Sequence, residues 1–143
     1  MTLIWSLERE AQPEDLAVLA DGVFTHIRAQ LADGDAAPIA CLVREGTRVV
    51  AGGSGRTECQ RLFIHNLWVA PERRGQGIAR KVLAELESEA VQRGCRDALI
   101  ETLDDSVASL YSRLGYQPLV VVERYLGRFN RHIMLKPCLS NSR

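Results

Sequence analysis

The 143-residue sequence predicts one α/β domain of the α+β type, spanning residues 1–143, with a mixed and largely antiparallel sheet flanked by helices. Residues 62–69 form a short apolar run rich in β-forming side chains, and residues 78–91 repeat apolar side chains with helical spacing. A second short apolar run, residues 97–103, follows that helix. Two strands joined by a helix are most simply parallel neighbours, whereas the other predicted strands are joined by short turns and are expected to be antiparallel.

The start of the chain is predicted to be mainly helical after one short strand. Residues 3–7 are predicted as that strand. Pro13 then begins a helical pattern that runs to Leu31, with acidic residues in its first turn. We expect two helices here, because Gly22 interrupts the pattern. Residues 32–35 are predicted as a turn that closes the segment.

The middle of the chain changes to the two-residue period of strands. Residues 39–43 alternate as a strand, residues 44–48 make a hairpin turn, and residues 49–53 form the partner strand. The glycine-rich residues 52–60 are predicted as a strand end followed by a flexible loop. The central strand, residues 62–69, comes directly after this loop.

The last part of the chain predicts a second helix and two final strands. Residues 104–106 offer typical N-cap side chains for this helix, and Gly115 is placed to end it. Residues 116–125 and 132–136 then alternate as strands. The tail, residues 140–143, is predicted to be disordered.

Composition and charge exclude several classes of function. Eighteen basic and eighteen acidic residues cancel, so no overall field draws the chain to nucleic acid or to an anionic membrane. No apolar stretch approaches the roughly 20 residues that span a bilayer, and the N-terminal residues lack the pattern of a signal peptide. The four cysteines have neither metal-site nor disulfide-framework spacing. We therefore expect a cytoplasmic protein with no bound metal and no nucleic-acid or membrane partner.

The turn after the central strand has the chemistry of a phosphate site. A helix that begins directly after a strand leaves its first backbone N–H groups without partners, and the helix dipole favours negative charge there. Glycines in the turn let a bulky anion approach these groups, and two arginines add positive charge. The turn lacks the Lys-Ser/Thr ending of a P-loop and the glycine spacing of the dinucleotide fingerprint. It reads Arg73, Arg74, Gly75, Gln76, Gly77, Ile78 and Ala79.

Two motifs resemble those of the GNAT N-acetyltransferase superfamily. Residues 74–79 match its Arg/Gln-x-x-Gly-x-Gly/Ala signature, and residues 110–116 are similar to its Leu/Phe-Tyr-x-x-Leu-Gly-Phe/Tyr element. The motifs follow one another in the order of the superfamily, and so do the predicted helices and strands. The resemblance implies a GNAT fold, in which the two parallel strands splay apart and acetyl-CoA, the co-substrate, lies in the gap.

The resemblance also implies which residues bind the cofactor. Backbone groups of the central strand would pair with pantetheine and polarise the thioester carbonyl, and the turn would hold the pyrophosphate. Asp104 departs from the family pattern, because many members carry Asn there. A carboxylate accepts from a cofactor amide but cannot donate to a carbonyl, so this contact is open to question. The implied cofactor residues are Leu67, Trp68, Val69, Arg74, Gly75, Gln76, Gly77, Ile78, Ala79, Asp104 and Tyr111.

The same resemblance implies three catalytic candidates. Tyr111 is expected to be the general acid that protonates the leaving thiolate; its alternative is a core tyrosine on the inner face of the second helix. His65 is a candidate base, since some family members place an acid at this point of the central strand and imidazole titrates near neutral pH. Glu101, at the far end of the second parallel strand, is the rival base. The alternative for both is a purely structural or solvated role.

We expect an enzyme that moves acetyl from acetyl-CoA to a primary amine by direct attack in a ternary complex. The acceptor is predicted to be a small molecule, and the chain is compatible with a homodimer. A protein N-terminus or lysine as acceptor, a non-catalytic acetyl-CoA sensor and a nucleotide-phosphate binder stay open as alternatives. Arg124, Arg128 and Arg131 would suit an acidic acceptor, but such a run is also typical of a solvated loop.

Overall fold

The computed structural model describes residues 1–31 and 36–140. The chain divides into two compact units, residues 1–34 and 35–143. The prediction of a single domain over the whole chain stays a prediction. The first unit contains α1 and the second contains the other elements, with these bounds: α1 Pro13–Arg28, β1 Ala37–Glu45, β2 Arg48–Glu58, β3 Arg61–Val69, a 3-10 turn Pro71–Arg73, α2 Ile78–Gln92, β4 Asp97–Thr102, α3 Asp105–Arg113, β5 Gln117–Leu126 and β6 Phe129–Lys136.

In the first unit α1 is one continuous helix, so the predicted break at Gly22 is wrong. Glycine in a helix interior costs only about 1 kcal/mol relative to alanine, which is too little to end a helix with regular turns on both sides. The strand predicted at residues 3–7 is also wrong, because these residues have no regular secondary structure. A strand needs a neighbour that completes its hydrogen bonds, and an apolar run does not specify one. The turn predicted at residues 32–35 lies outside the described residues, as do residues 141–143.

In the second unit the strands form one six-stranded sheet in the order β1-β2-β3-β4-β6-β5. Among the described strands β3 and β4 are the one parallel pair, and the other neighbours are antiparallel, as predicted. Helices α2 and α3 contribute to the same buried core as the sheet. Its members include Leu62, Ile64, Leu83, Leu86, Ile100, Ala108, Tyr111 and Met134. None of the described helices is long and apolar enough to cross a membrane.

The parallel pair separates part-way along, which confirms the predicted splay. Pairing between β3 and β4 runs from Arg61 opposite Asp97 to Ile64 opposite Ile100 and stops there. At the same level β3 contains a bulge against β2: Ile64 pairs with Gly55, the next pair joins Asn66 to Ser54, and His65 is extra. An extra residue shifts the alternation of side chains by one. The half-buried Leu67 therefore packs against the core, while Asn66 is exposed.

Strand β2 is longer than the sequence predicts, so the flexible loop expected over residues 52–60 is wrong. The strand continues to Glu58, and a two-residue turn of Cys59 and Gln60 joins it to β3. Both turn residues have positive φ, 49° and 64°, as in a tight type I′ hairpin. The glycines of β2 allow close approach: a Cβ on Gly55 would lie 1.8 Å from the carbonyl oxygen of Phe63.

We expect Gly55→Ala to lower the free energy of unfolding by about 1–3 kcal/mol, because backbone would have to move to admit the methyl group. Urea denaturation followed by circular dichroism measures the effect. Gly22→Ala is the matched control, because a Cβ at Gly22 meets nothing within 4 Å and alanine favours a helix. A Gly55→Ala variant as stable as wild type would contradict this account of the β2–β3 contact.

Candidate active site

A cavity of about 480 Å³ lies beside the separated end of β3. Its walls come from three places in the chain: the last residues of β3, the turn that leads into α2, and the inner face of α3. Every predicted cofactor residue except Gln76 lines it. The lining residues are Leu67, Trp68, Val69, Arg73, Arg74, Gly75, Gly77, Ile78, Ala79, Arg80, Asp104, Ser106, Val107, Leu110 and Tyr111.

The start of α2 is an open set of backbone donors. Gly77 is its N-cap residue and has φ of 75°, which glycine adopts without strain. No side chain in the described residues 36–140 caps this helix, and its first turn contains no acid. The first backbone bond of the helix runs from the Lys81 N–H to the Gly77 carbonyl. The N–H groups of residues 78–80 therefore face the cavity end of the helix without a helical partner, as an anion site requires.

Three arginines add positive charge at the same end of the cavity. Arg74 donates from Nε to the Val69 carbonyl oxygen at 3.0 Å, which holds the side chain beside β3. Arg73 donates to Glu45 at 2.6 Å, at the β1–β2 hairpin. Arg80 is the third residue of α2, where a cation opposes the helix dipole. An anion in the cavity offsets that repulsion, so this end of the cavity suits a polyphosphate.

Asp104 caps the N-terminus of α3, the other helix that borders the cavity. It is the N-cap of α3, and its Oδ1 accepts from the N–H groups of Ser106 at 2.8 Å and Val107 at 3.2 Å. The hydrogen bond from the Ser106 hydroxyl, followed by those from the backbone N–H groups and the nearby Arg74 charge, holds the pKa of Asp104 below its usual range. The predicted N-cap is thus confirmed. Since this carboxylate fills the start of α3, the open anion site is at α2.

Tyr111 is buried but reaches the cavity. The residue is 3% exposed, and desolvation raises the pKa of its phenol to about 12. The phenol therefore keeps its proton near neutral pH. Within the described residues this hydroxyl has no hydrogen-bond partner, and no fully buried side-chain N or O atom there lacks one. The hydroxyl must then be open to the cavity that Tyr111 lines. The side chain is a proton donor without a protein acceptor.

The Tyr116 ring packs against the Tyr111 ring in the core, a contact that the sequence analysis missed. The two ring centroids lie 6.0 Å apart at 52°. The Tyr116 hydroxyl donates to Glu87 at 3.5 Å, and Glu87 also pairs with Lys136 at 2.7 Å. These groups join α2, β6 and the end of α3 in the core. The signal in the sequence was a lone acid, Glu87, on the apolar face of α2, four residues after Leu83.

The two candidate bases do not line this cavity. Ile64 and Ile100 are the last paired residues of β3 and β4, and His65 and Glu101 follow them directly. His65 Nε2 lies 2.6 Å from Arg56 Nη1; because arginine can only donate, this nitrogen is the acceptor. Glu101 is paired with Arg131 and lines a second cavity, of about 340 Å³. Both candidates therefore lie where the strands separate, outside the cavity of Tyr111.

The sequence profile of the Acetyltransferase (GNAT) family matches residues 2–116. The chain belongs to the GNAT acetyltransferase family. An acetyltransferase of Agrobacterium fabrum, Atu2258, is 33% identical over 107 residues, which cover 74% of this chain and 78% of that one. The blasticidin-S acetyltransferase of Streptomyces morookaense is 30% identical over 61% of this chain and 65% of its own. The crystal structure of an acetyltransferase from Agrobacterium tumefaciens superposes with a TM-score of 0.83 at 27% identity, and the match covers 94% of this chain and 98% of that one.

Family membership makes the chain an acyltransferase, and GNAT members in general use acetyl-CoA as their co-substrate. The cavity fits that molecule on this chain's own features: an uncapped helix start, three arginines and an open wall at Gly77, where a Cβ would meet nothing within 4 Å. In the described part of the chain no group of three or more His, Cys, Asp or Glu side chains is placed to hold a metal ion.

We expect Gly77→Val to abolish the rise in melting temperature that acetyl-CoA gives the wild type, because the side chain would project into the cradle in front of the α2 N–H groups. Differential scanning fluorimetry measures this rise, which follows RT ln(1 + [L]/Kd) for a ligand of the native state. Gly94→Val, at the other end of α2, is the matched control: it has a similar φ of 87° and equal free space. A Gly77→Val variant that keeps the full rise would show that phosphate binds elsewhere.

Proposed function

We propose that the chain transfers the acetyl group of acetyl-CoA to a primary amine, and that the amine attacks directly while both substrates are bound. The observation that carries the proposal is the position of Tyr111. A buried phenol that keeps its proton opens onto the same cavity as the uncapped start of α2. When bound, acetyl-CoA supplies an acyl group activated as a thioester. One cavity thus offers both an anion cradle and a proton donor.

Backbone geometry supports the proposed cofactor contacts. Residues 67–69 of β3 pair with β2 along one edge, and pairing with β4 along the other edge ends at Ile64. That second edge leaves backbone donors and acceptors available to the amide groups of pantetheine. The N–H groups of residues 78–80, with Arg74 and Arg80 beside them, would hold the pyrophosphate. We assign Asp104 to capping α3 and, through its second oxygen, to accepting from the cofactor.

The proposed transfer forms one bond and breaks one bond. The acceptor nitrogen forms a C–N bond to the acetyl carbon while the C–S bond of the thioester breaks. The acceptor, bound as an ammonium, gives up one proton to a base or to water before it attacks, and its nitrogen loses a second proton to solvent as the amide forms. Tyr111 donates its proton to the departing sulfur and recovers one from solvent. The net products are the acetamide, CoA with a free thiol, and one proton.

His65 and Glu101 remain the candidate bases of this proposal, and Glu101 is favoured. His65 Nε2 is occupied as an acceptor for Arg56, so only the protonated Nδ1 of that tautomer is left. Glu101 binds Arg131 through Oε2, whereas its Oε1 has no hydrogen-bond partner in residues 1–31 and 36–140. A free carboxylate oxygen can take an ammonium proton directly or through one water.

The proposed acceptor is a small molecule. Support comes from the relative named as a blasticidin-S acetyltransferase, since blasticidin S is a small molecule. A protein N-terminus or lysine as acceptor, and a sensor without turnover, are the competing proposals. Release of free thiol with a panel of small amines, compared with lysine-containing peptides, separates all three. A cytoplasmic location and a homodimer stay predictions; β5, an edge strand of the sheet, is where a second copy could add a strand.

We expect Tyr111→Phe to lower kcat by about 10²- to 10⁴-fold with little change in acetyl-CoA affinity, because it removes one oxygen and preserves the ring. Thiol release measured at saturating acetyl-CoA reports the loss. Tyr116→Phe is the matched control, since it removes the neighbouring hydroxyl, which faces Glu87 and not the cavity. The control should cost stability on the order of 1 kcal/mol and leave kcat nearly unchanged. Wild-type kcat in a folded Tyr111→Phe enzyme would contradict the general-acid proposal.

The raised pKa of Tyr111, about 12 instead of its ordinary 10, predicts how kcat and the free energy of unfolding depend on pH. The acid form of the phenol persists through the alkaline range, so kcat should show no decline from loss of this proton below pH ~10. In contrast, tyrosines of the unfolded chain ionise near pH 10, so unfolding becomes easier between pH ~10 and ~12. A stopped-flow pH-jump profile of kcat measures the first effect. A decline of kcat centred near pH 8 that disappears in Tyr111→Phe would contradict this assignment.

A further inference from the structure

A second group of polar side chains lies at the end of β4, outside the cofactor cavity. Glu101, Thr102 and Leu103 from β4 and the residue after it meet Tyr125 of β5 and Arg131 of β6 around the cavity of about 340 Å³. Glu101 follows Ile100 in the strand, so its side chain points to the opposite face from the core, where Ile100 is buried. It is also the first residue of β4 beyond the last pair with β3. The group therefore begins at the level of the sheet where β3 and β4 stop pairing.

The contacts within this group leave one acceptor atom free. Arg131 donates from Nε to Glu101 Oε2 at 2.8 Å, and its Nη2 contacts the same oxygen. Its Nη1 donates to the Tyr125 hydroxyl at 2.9 Å, and its guanidinium lies over the Tyr125 ring at 4.9 Å. All three nitrogens of Arg131 are thus engaged. Glu101 Oε1 has no hydrogen-bond partner in the part of the chain that the structure describes.

A bulge in β5 determines where Tyr125 lies. The register between β5 and β6 shifts between Val122 and Leu126, and Arg124 has a φ of 52°. Such a conformation is strained for a side chain with a Cβ and persists where the surroundings enforce it. Here the Asn130 side chain enforces it, because its Oδ1 accepts from the Arg124 N–H at 3.1 Å. Bulges of this kind change the direction of a side chain next to a site.

We propose that Glu101, Arg131 and Tyr125 form the acceptor subsite, that Glu101 Oε1 receives the primary ammonium of the acceptor, and that Arg131 and Tyr125 are positioning residues. The inference rests on the proposed acetyl transfer. An oxygen that can only accept selects a ligand that donates, and an ammonium has three N–H donors for it. Arg131 commits three of its five N–H donors to Glu101 and Tyr125, and its positive charge is offset by the Glu101 carboxylate, so we do not expect it to select an acidic acceptor. Leu103 and the Tyr125 ring offer apolar surface to the alkyl chain of the amine.

The test uses three amine probes with the full-length protein and acetyl-CoA: butylamine, 1,5-diaminopentane and lysine, which is diaminopentane with one carboxylate added. We expect Glu101→Gln to raise the KM for each amine about 10- to 100-fold, because one charge-assisted hydrogen bond to the ammonium is lost. The same change should also lower kcat, because Glu101 is the favoured base, and should leave the acetyl-CoA KM unchanged. Tyr125→Phe, which frees Arg131 from one partner, should lower kcat/KM about 3- to 10-fold.

Variants of Arg131 distinguish a residue that positions Glu101 from one that binds the acceptor directly. Arg131→Met should lower kcat about tenfold for all three amines and keep the lysine-to-diaminopentane ratio of kcat/KM within about twofold, because Glu101 is no longer fixed. Arg131→Lys keeps the charge but not the planar fork, so it should not restore kcat. Arg128→Met is the matched control, since it removes a neighbouring charge that stacks on Phe129 and does not contact Glu101.

Two outcomes would overturn the subsite. A tenfold or larger fall in the lysine-to-diaminopentane ratio in Arg131→Met, with Glu101→Gln as active as wild type, would make Arg131 a receptor for acidic acceptors. If no amine releases thiol in the wild type, the proposed function fails, and the subsite is then tested without turnover. Titration of 1,5-diaminopentane into ¹⁵N-labelled protein should shift the Arg131 Nε–H signal to saturation in the wild type and not in Glu101→Gln. Absence of that shift would overturn the subsite by itself.

Discussion

The site depends on one constraint in the sheet: the parallel strands β3 and β4 stop pairing after Ile64 and Ile100. The bulge at His65 occurs at the same level and turns the rest of β3 so that Leu67 stays on the core. Beyond this point β3 keeps its bonds to β2 but has an unpaired edge. That edge forms one wall of the cavity, and α3, which follows β4, forms another. An unbroken ladder would pair these backbone groups with β4 and leave them unavailable to a ligand.

The electrostatics of the cavity follow from how its two helices begin. Both α2 and α3 begin at the cavity lining. The Asp104 side chain accepts hydrogen bonds from the first N–H groups of α3, whereas Gly77 has no side chain to accept from those of α2. The cavity is therefore electrostatically asymmetric: a carboxylate lies at the start of α3, and the N–H groups suited to an anion lie at the start of α2. Tyr111 lies two turns along α3 from Asp104, on the same face. The proton donor is therefore held at a fixed distance from the cradle by regular helix geometry and by packing against Tyr116.

Most of the fold was predictable from the sequence because its signals are local. The N-cap Asp104 and the α2 turn each depend on residues a few positions apart, and the parallel pair follows from the helix that joins its two strands; all three are confirmed. The wrong predictions depend on distant neighbours. The glycines of β2 indicated a flexible loop, whereas at Gly55 the lack of a side chain allows the Phe63 carbonyl to lie against the strand. The partners of the candidate bases also come from other strands: Arg56 of β2 for His65 and Arg131 of β6 for Glu101. No spacing in the sequence specifies those pairs.

The proposed assignments place the two substrates in two different cavities. The cofactor cavity is built from β3, α2 and α3, whose positions are fixed by the core. The second cavity is built from the end of β4 and the β5–β6 hairpin, where a bulge and a strained Arg124 set the side chains. Changes in that hairpin alter what meets Glu101 without moving the cradle or Tyr111. Under the proposed assignments, the residues that contact the acceptor and the residues that act on the thioester belong to different elements of the fold.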